Sequence, residues 1–340
     1  METKITWIPF SEEEQQKIKY GQLWGENSSL KDPIISIPYN VLMPKYFEMI
    51  SEKISKFDVR PDDIWIITYP KCGTTWTQEI VWHILNDVNK ELGKTSLYSR
   101  SPFLEREGLQ CPNPSSKKII SDGTTHQHII RRVMSFEESV DTTASLPSPR
   151  IIKSHLPFEL LPQHILDKAK VIYVCRNPKD VCVSFFHHHT DVFDNVYQFK
   201  GTFNDFAALF MQGKLENGSY IDHLKGAWKH RNHPNMKFLW YEDMKKNTVK
   251  EVSDIATFVN HPLSEDKVVD LVEHLQFSNM KERASNQSSQ IGGKEDNRSK
   301  FFRKGAVGDW KNYFKEENLK IWDSWIEKSL EGSDIKFSFE

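Results

Sequence analysis

Residues 68–76 read TYPKCGTTW, and these residue types in this order suit one task, the holding of an anion. The segment follows the apolar run Ile64, Trp65, Ile66 and Ile67, which predicts a short buried strand. Behind it, Trp76, Ile80, Val81, Ile84 and Leu85 fall on one face of a helix. Pro70 and Gly73 supply the turn between the two. A turn that enters a helix leaves backbone N–H groups unpaired at the positive end of the helix dipole. Lys71 and the hydroxyls of Thr74 and Thr75 complete a cradle for phosphate or sulfate. Cys72 lies inside the cradle, either as an acidic thiol or as a small turn residue. A plainer reading has Thr75 cap the helix, with Gln78 completing a capping box and Lys71 solvated. The segment departs from a Walker loop, because its glycine follows the lysine, and that disfavours an ordinary nucleoside triphosphate.

Two further stretches carry the same chemistry. In residues 150–157 (RIIKSHLP), strand alternation puts Lys153 and His155 on one side and Ser154 on the other. A cation beside a histidine, at a strand end closed by Pro157, presents a base next to a developing negative charge. Taken alone, the pair also fits a surface lysine and a half-buried histidine. Residues 170–175 (KVIYVC) are the clearest buried strand and run into Arg176, Asn177 and Pro178. Asn177 suits a helix N-cap and Pro178 the first helical position. Arg176, that helix start and Ser184 about two turns on make a second anion site. A Walker B strand would end in an aspartate that holds magnesium, whereas this one ends in arginine. Arg303 and Lys304, ahead of Gly305, form a third basic element or a simple basic turn. His187, His188 and His189 are consecutive, so on a helix they point apart, and no metal is expected at them or at His126 and His128.

The elements that must position these residues alternate strand with helix, which argues an α/β fold with a central, mainly parallel sheet covered by helices on both faces. A third strand is expected over 237–241. Ligands in such folds gather at the C-terminal ends of strands, where Lys71, His155, Arg176 and Tyr241 all fall. The 340 residues are read as a single domain over 1–340. Residues 1–63 read as an irregular arm with a helix near 45–56, and 93–149 as a proline-rich lid over the site with a helical piece at 129–140. Residues 284–300 read as a mobile polar loop. A net charge of -2 argues against a general nucleic-acid or membrane-surface binder. No apolar run approaches the ~18 residues of a membrane span, and the start has no apolar leader. Cys72, Cys111, Cys175 and Cys182 lack disulfide or metal spacing, which fits a reducing, cytoplasmic location.

With these motifs in this order and spacing, the chain resembles the cytosolic sulfotransferases along nearly its whole length. Members of that family transfer a sulfuryl group from 3′-phosphoadenosine 5′-phosphosulfate (PAPS) to a hydroxyl or amine, leaving adenosine 3′,5′-bisphosphate (PAP). The resemblance implies a P-loop-like strand-loop-helix in which Lys71, Cys72, Gly73, Thr74 and Thr75 hold the 5′-phosphosulfate. It implies that Trp76 stacks on adenine, with Tyr241 and Phe277 as further adenine contacts. Arg176 and Ser184 are implied to grip the 3′-phosphate, joined by Arg303, Lys304 and Gly305. His155 is implied as the catalytic base, with Lys153 and Lys71 beside the transferring group and no metal.

Phe103, Arg106, Phe158 and His188 are implied to line the acceptor pocket, although Arg106 and His188 stand where the family commonly has aromatics. The expected acceptor is a small hydrophobic phenol or alcohol. The family's dimer motif after the late loop is not kept, since Lys311 is followed by Lys315, Glu316 and Lys320, so a homodimer is not assumed. The competing readings are a P-loop nucleotide kinase or other phosphotransferase, and a non-catalytic protein that binds a hydrophobic ligand. A variant of the sulfotransferase reading sulfonates an alcohol that then eliminates, for net dehydration.

Overall fold

In a computed structural model, residues 4–109, 139–290 and 298–337 are described. Three short strands, β1 (Thr6–Pro9), β2 (Pro33–Ile37) and β3 (Leu42–Pro44), form an antiparallel sheet in that order. The stretch that the sequence presents as an irregular arm is therefore partly a sheet. Prolines begin β2 and end β1 and β3, where they interrupt little of the ladder.

The central sheet is built from β4 (Ile64–Ile67), β5 (Ile151–Ser154), β6 (Lys170–Cys175) and β7 (Met236–Trp240), all parallel, in the order β5-β4-β6-β7. All four residues of β4 are buried, as expected for a parallel strand covered on both faces. Its side chains divide by alternation. Trp65 and Ile67 join one core with Val181, Phe185, Phe210 and Leu224, while Ile64 and Ile66 join another with Ile80, Val81, Ile255 and Leu271. Helices Pro178–His187 and Tyr220–Trp228 thus cover one face, and Thr74–Leu85, Thr248–Phe258 and Glu265–His274 the other. Because β4 pairs with both β5 and β6, with Ile67 opposite Ser154 and Tyr173, three strand ends emerge side by side.

A buried ion pair fixes the opposite end of these strands. Arg150 donates to both carboxylate oxygens of Asp63, at 2.7 and 2.6 Å, and to the carbonyl of Asp58. Arg60 donates to the carbonyls of Ala144 and Leu146, fastening the helix Ser139–Ser145 to the same corner.

Several boundaries differ from the sequence reading. Residues 110–138, the middle of the expected lid and most of its expected helical piece, lie outside the described residues. The loop expected over 284–300 is helical at its start, because the helix Phe277–Gln290 runs through it, and 291–297 are not described. No glycine or proline interrupts 277–290, and serine, asparagine and glutamine cost a helix only tenths of a kcal/mol each. The third strand ends at Trp240, and Tyr241 instead opens the helix Tyr241–Lys246. Among the described residues no helix is long and apolar enough to cross a membrane.

Replacing Asp63 by alanine leaves the Arg150 charge buried without its carboxylate, which should cost about 3–5 kcal/mol of folding stability. Urea unfolding measures it, and a loss under about 1 kcal/mol, the range of an exposed pair, would show that this corner is not held by charge.

Candidate active site

The loop after β4 is shaped by two residues at positive φ. Lys71 sits at φ 71 and Gly73 at φ 105. Only glycine fits the latter position, since a Cβ there would lie 2.8 Å from the Tyr241 ring. Thr68 and Thr74 hydroxyls meet at 2.6 Å across the loop and hold it closed. The helix begins at Thr74 with Gly73 at its N-cap, so the capping box from Thr75 to Gln78 does not form. Gln78 turns away and donates to the carbonyl and hydroxyl of Ser101. Cys72 is fully buried, and burial pushes its thiol well above the ordinary range, which makes it a turn residue and not an acidic nucleophile.

His155 follows β5 and is buried. Its Nδ1 lies 2.8 Å from the carbonyl oxygen of Thr68. A carbonyl can only accept, so Nδ1 carries the proton and Nε2 keeps its lone pair. Burial, then the charge of Lys153, holds the imidazole well below its usual pKa, so the ring is neutral at pH 7. Behind it, His223 Nε2 donates to the His155 carbonyl at 3.0 Å, and Tyr173 bonds the other nitrogen of that ring. Phe103 packs between Lys153 of β5 and His155 just beyond it: its ring meets His155 edge-on at 5.1 Å and lies 4.0 Å under Lys153 Nζ.

Positive charge is concentrated here. Burial first, and then Lys153, Arg176 and Arg303, push the Lys71 amine down to about 7. Lys71 Nζ lies over the Phe301 ring at 3.9 Å and 3.4 Å from Nδ1 of His188. Burial likewise pushes Lys153 down to about 8, with Glu105 opposing and Arg106 adding to the shift. Such clusters of cations are stable next to an anion and poorly placed without one.

Arg176 leaves β6 and reaches between two loops, donating to the carbonyls of Lys71 at 3.3 Å and Ala306 at 2.9 Å. Its guanidinium lies 4.4 Å over the Tyr241 ring. Trp76 meets the same ring edge-on at 6.0 Å, and the Tyr241 hydroxyl reaches the carbonyl of Gly305. A Cβ on Gly305, at φ 63, would strike the Phe277 ring at 2.1 Å. Trp76, Tyr241, Phe277 and Gly305 are thereby brought to one place from four parts of the chain. Ser184 is half-buried within the helix Pro178–His187. Arg303 and Lys304 both pair with Asp309, at 2.5 and 2.6 Å, instead of standing free. Although burial opposes it, the bonds from Lys304, Asn312 and Arg303 hold the Asp309 carboxyl down at about 2.

These residues fit PAPS. Arg176 Nε and Trp76 Nε1 are buried with no hydrogen-bond partner in the protein, and two glycines let the loop backbones close on aromatic rings. The acceptor residues are less uniform. Phe103 and His188 lie beside His155 and Lys71, and Arg106 is stacked 4.5 Å over Tyr98. Phe158, half-buried at the margin of the core, stacks on the exposed His230 at 5.1 Å and leans on Tyr173. The three consecutive histidines diverge: His187 bonds Asp191 and Tyr313, His188 meets Lys71, and His189 bonds Glu216.

Three carboxylates escaped the sequence reading. Asp180 accepts from the backbone N–H groups of Gly308 and Trp310 and so anchors the late loop. Glu242 accepts from Asn177 N, and Glu105 from His155 N. Asp180 stands one helical turn beyond Arg176, a spacing that could have pointed to the pair. For Glu105 and Glu242 nothing local signals the partner.

A family model described as the sulfotransferase domain matches residues 61–334. Luciferin sulfotransferase of Photinus pyralis is 36% identical over 294 residues, covering 84% of this chain and 76% of that protein. Sulfotransferase 1E1 of Homo sapiens is 35% identical over 306 residues, covering 89% of this chain and 95% of its own length. Among solved structures, retinol dehydratase in complex with retinol and PAP superposes with a TM-score of 0.85 at 28% identity, covering 99% of this chain and all of that one. A match that takes in most of the chain and agrees with its sheet leaves one assignment: the chain belongs to the sulfotransferase family, as an enzyme that transfers a sulfuryl group from PAPS to a small-molecule acceptor.

Proposed function

We propose that the acceptor is the hydroxyl of a small hydrophobic phenol or alcohol, with His155 as general base and Lys71 and Lys153 meeting the negative charge of transfer. The observation that carries this reading is the bond from His155 Nδ1 to the Thr68 carbonyl, which leaves Nε2 as a lone pair beside two lysines. When bound, PAPS supplies the sulfuryl group and a phosphate leaving oxygen. Lys71, Gly73, Thr74 and Thr75 would hold its phosphosulfate, Arg176, Ser184, Arg303, Lys304 and Gly305 its 3′-phosphate, and Trp76, Tyr241 and Phe277 its adenine.

The protein's own part follows from its charges. A neutral imidazole need not shed a proton before it accepts one, and Nε2 takes the acceptor's proton as the new S–O bond forms. Lys71 places an ammonium where charge accumulates on the leaving oxygen, by the logic of in-line phosphoryl transfer. Phe103 gives an apolar wall beside the base, which suits an aromatic or aliphatic acceptor. The buried thiols Cys72, Cys175 and Cys182 are free, consistent with cytoplasmic action.

The likeness to retinol dehydratase favours a second reading, in which a sulfated alcohol eliminates to an alkene. Mass analysis of products from PAPS with phenols and with allylic alcohols separates the two. A stable sulfate ester supports transfer alone, and a product lighter than the alcohol by one water supports elimination.

His155→Ala and Lys71→Ala should each lower turnover by roughly 10²-fold or more. Arg176→Ala should chiefly raise the Kd for PAP, read by calorimetry. Equal single-turnover rates for wild type and His155→Ala at saturating PAPS would remove His155 from the mechanism.

The lysines also set a pH limb. Both amines are depressed, to about 7 and about 8, so their charge is present below those values and lost above them. kcat/KM for PAPS should therefore fall as pH rises through that window. The limb in kcat should lie higher, because a bound anion favours the ammonium. A kcat/KM flat to about pH 10, near the ordinary lysine pKa, would contradict this.

A further inference from the structure

Glu105 is fully buried, fifty residues before the histidine whose backbone N–H it accepts in a short hydrogen bond. Its place is set by main chain. Lys153 N donates to the Pro102 carbonyl at 2.9 Å and Leu104 N to the Lys153 carbonyl at 3.0 Å, so residues 102–104 run as a further rung along the edge of β5. Ser139 fixes the next carbonyl, that of Leu104. This rung carries Phe103 between Lys153 and His155, and it delivers the Glu105 carboxylate to the turn that orients the imidazole.

An amide or a hydroxyl could accept the same N–H with less penalty for burial. Burying a carboxylate costs several kcal/mol unless charge and hydrogen bonds compensate it. Here the second oxygen of Glu105 has no hydrogen-bond partner in the protein. Burial pushes the carboxyl up to about 7, while bonds from His155 and Ser154 and the charge of Lys153 pull it down. The charged and titratable groups facing it are Lys153, at the end of β5, and His155 just after it, with Arg106 and Glu107 beside it in its own turn. Glu105 opposes the effect of burial on Lys153 and raises its proton affinity.

We propose that Glu105 is the positioning residue of the transfer centre: from one buried point it holds the main chain of His155 and sets a carboxylate beside the strand that carries Lys153. The proposal rests on His155 being the base. Glu105→Gln keeps the shape and an oxygen for the His155 N–H but removes the charge. It should lower kcat by about tenfold, abolish the acid limb of kcat/KM near pH 7 where the wild-type carboxyl ionises, and move the alkaline limb to lower pH. Affinity for PAP should change less than about twofold, since Glu105 bonds the turn after β5 and not the nucleotide-binding loops. A Glu105→Gln enzyme with the wild-type pH profile overturns the proposal while an inactive His155→Ala leaves the base intact. Wild-type rates in His155→Ala overturn both.

A second readout needs neither turnover nor a variant that folds. The backbone amide proton of His155, shared with a carboxylate, should resonate far downfield in wild-type protein and move with an apparent pKa of about 7. An amide resonance at an ordinary backbone shift that stays fixed between about pH 5 and 9 overturns the proposal.

Discussion

The structure of the site depends on a hydrogen bond between two neighbouring strand ends, from the imidazole of His155 to the carbonyl of Thr68. β4 and β5 are parallel partners, so the chain leaves both at the same edge, one into the lysine loop and the other into the histidine. The bond converts that proximity into a defined tautomer. It also removes a choice that an imidazole in water would keep, since either nitrogen can carry the proton there. The Thr68 and Thr74 hydroxyls, in contact at 2.6 Å, keep the same residue anchored to the start of the helix. Strand, loop and helix are thereby hydrogen-bonded to one another and to the base.

Electrostatics explain why this arrangement persists in a protein of nearly neutral charge. A net charge of -2 over 340 residues conceals a small volume where burial and the charges of Lys153, Arg176 and Arg303 depress the proton affinity of Lys71. Folding alone gains nothing from such crowding, because like charges at short range are unfavourable. The compensation is local and acidic: Asp180 beside Arg176, Asp309 under Arg303 and Lys304, and Glu105 near Lys153. Each is buried: Asp180 ties the late loop to the helix after β6, Asp309 closes that loop on itself, and Glu105 holds the turn after β5. The aromatic rings do the rest, with Phe301 under Lys71, Phe103 under Lys153 and Tyr241 under Arg176.

What could be read from the sequence was whatever is encoded within about a dozen residues. The runs Ile64–Ile67 and Lys170–Cys175 are apolar, bounded by turn residues and followed by helix starts, so Lys71 and Arg176 announce their positions. Lys153 and His155 follow from alternation in β5 once the sheet is assumed. The N-terminal sheet was not legible because its strands are three to five residues long and bordered by prolines. Phe158 could be placed near the acceptor by resemblance, yet its ring faces His230, a partner set by the path of a distant helix. Arg303 and Lys304 were legible as basic, but their pairing with Asp309 depends on how the turn closes, and the sequence shows only that an acid lies nearby. Carboxylates such as Glu105 and Glu242 resemble any surface glutamate until long-range packing buries them.

The Asp309 carboxylate has a consequence for how a nucleotide comes and goes. On the proposed assignment, a phosphate reaching Arg303 and Lys304 does not enter a bare cationic hollow; it trades places with an acid already seated there. Such an exchange leaves the turn neutralised in both the filled and the emptied condition, so its departure strands no lone cations. Affinity is tempered and escape is eased, which matters to a catalyst that must shed a spent nucleotide carrying the same phosphate on every cycle.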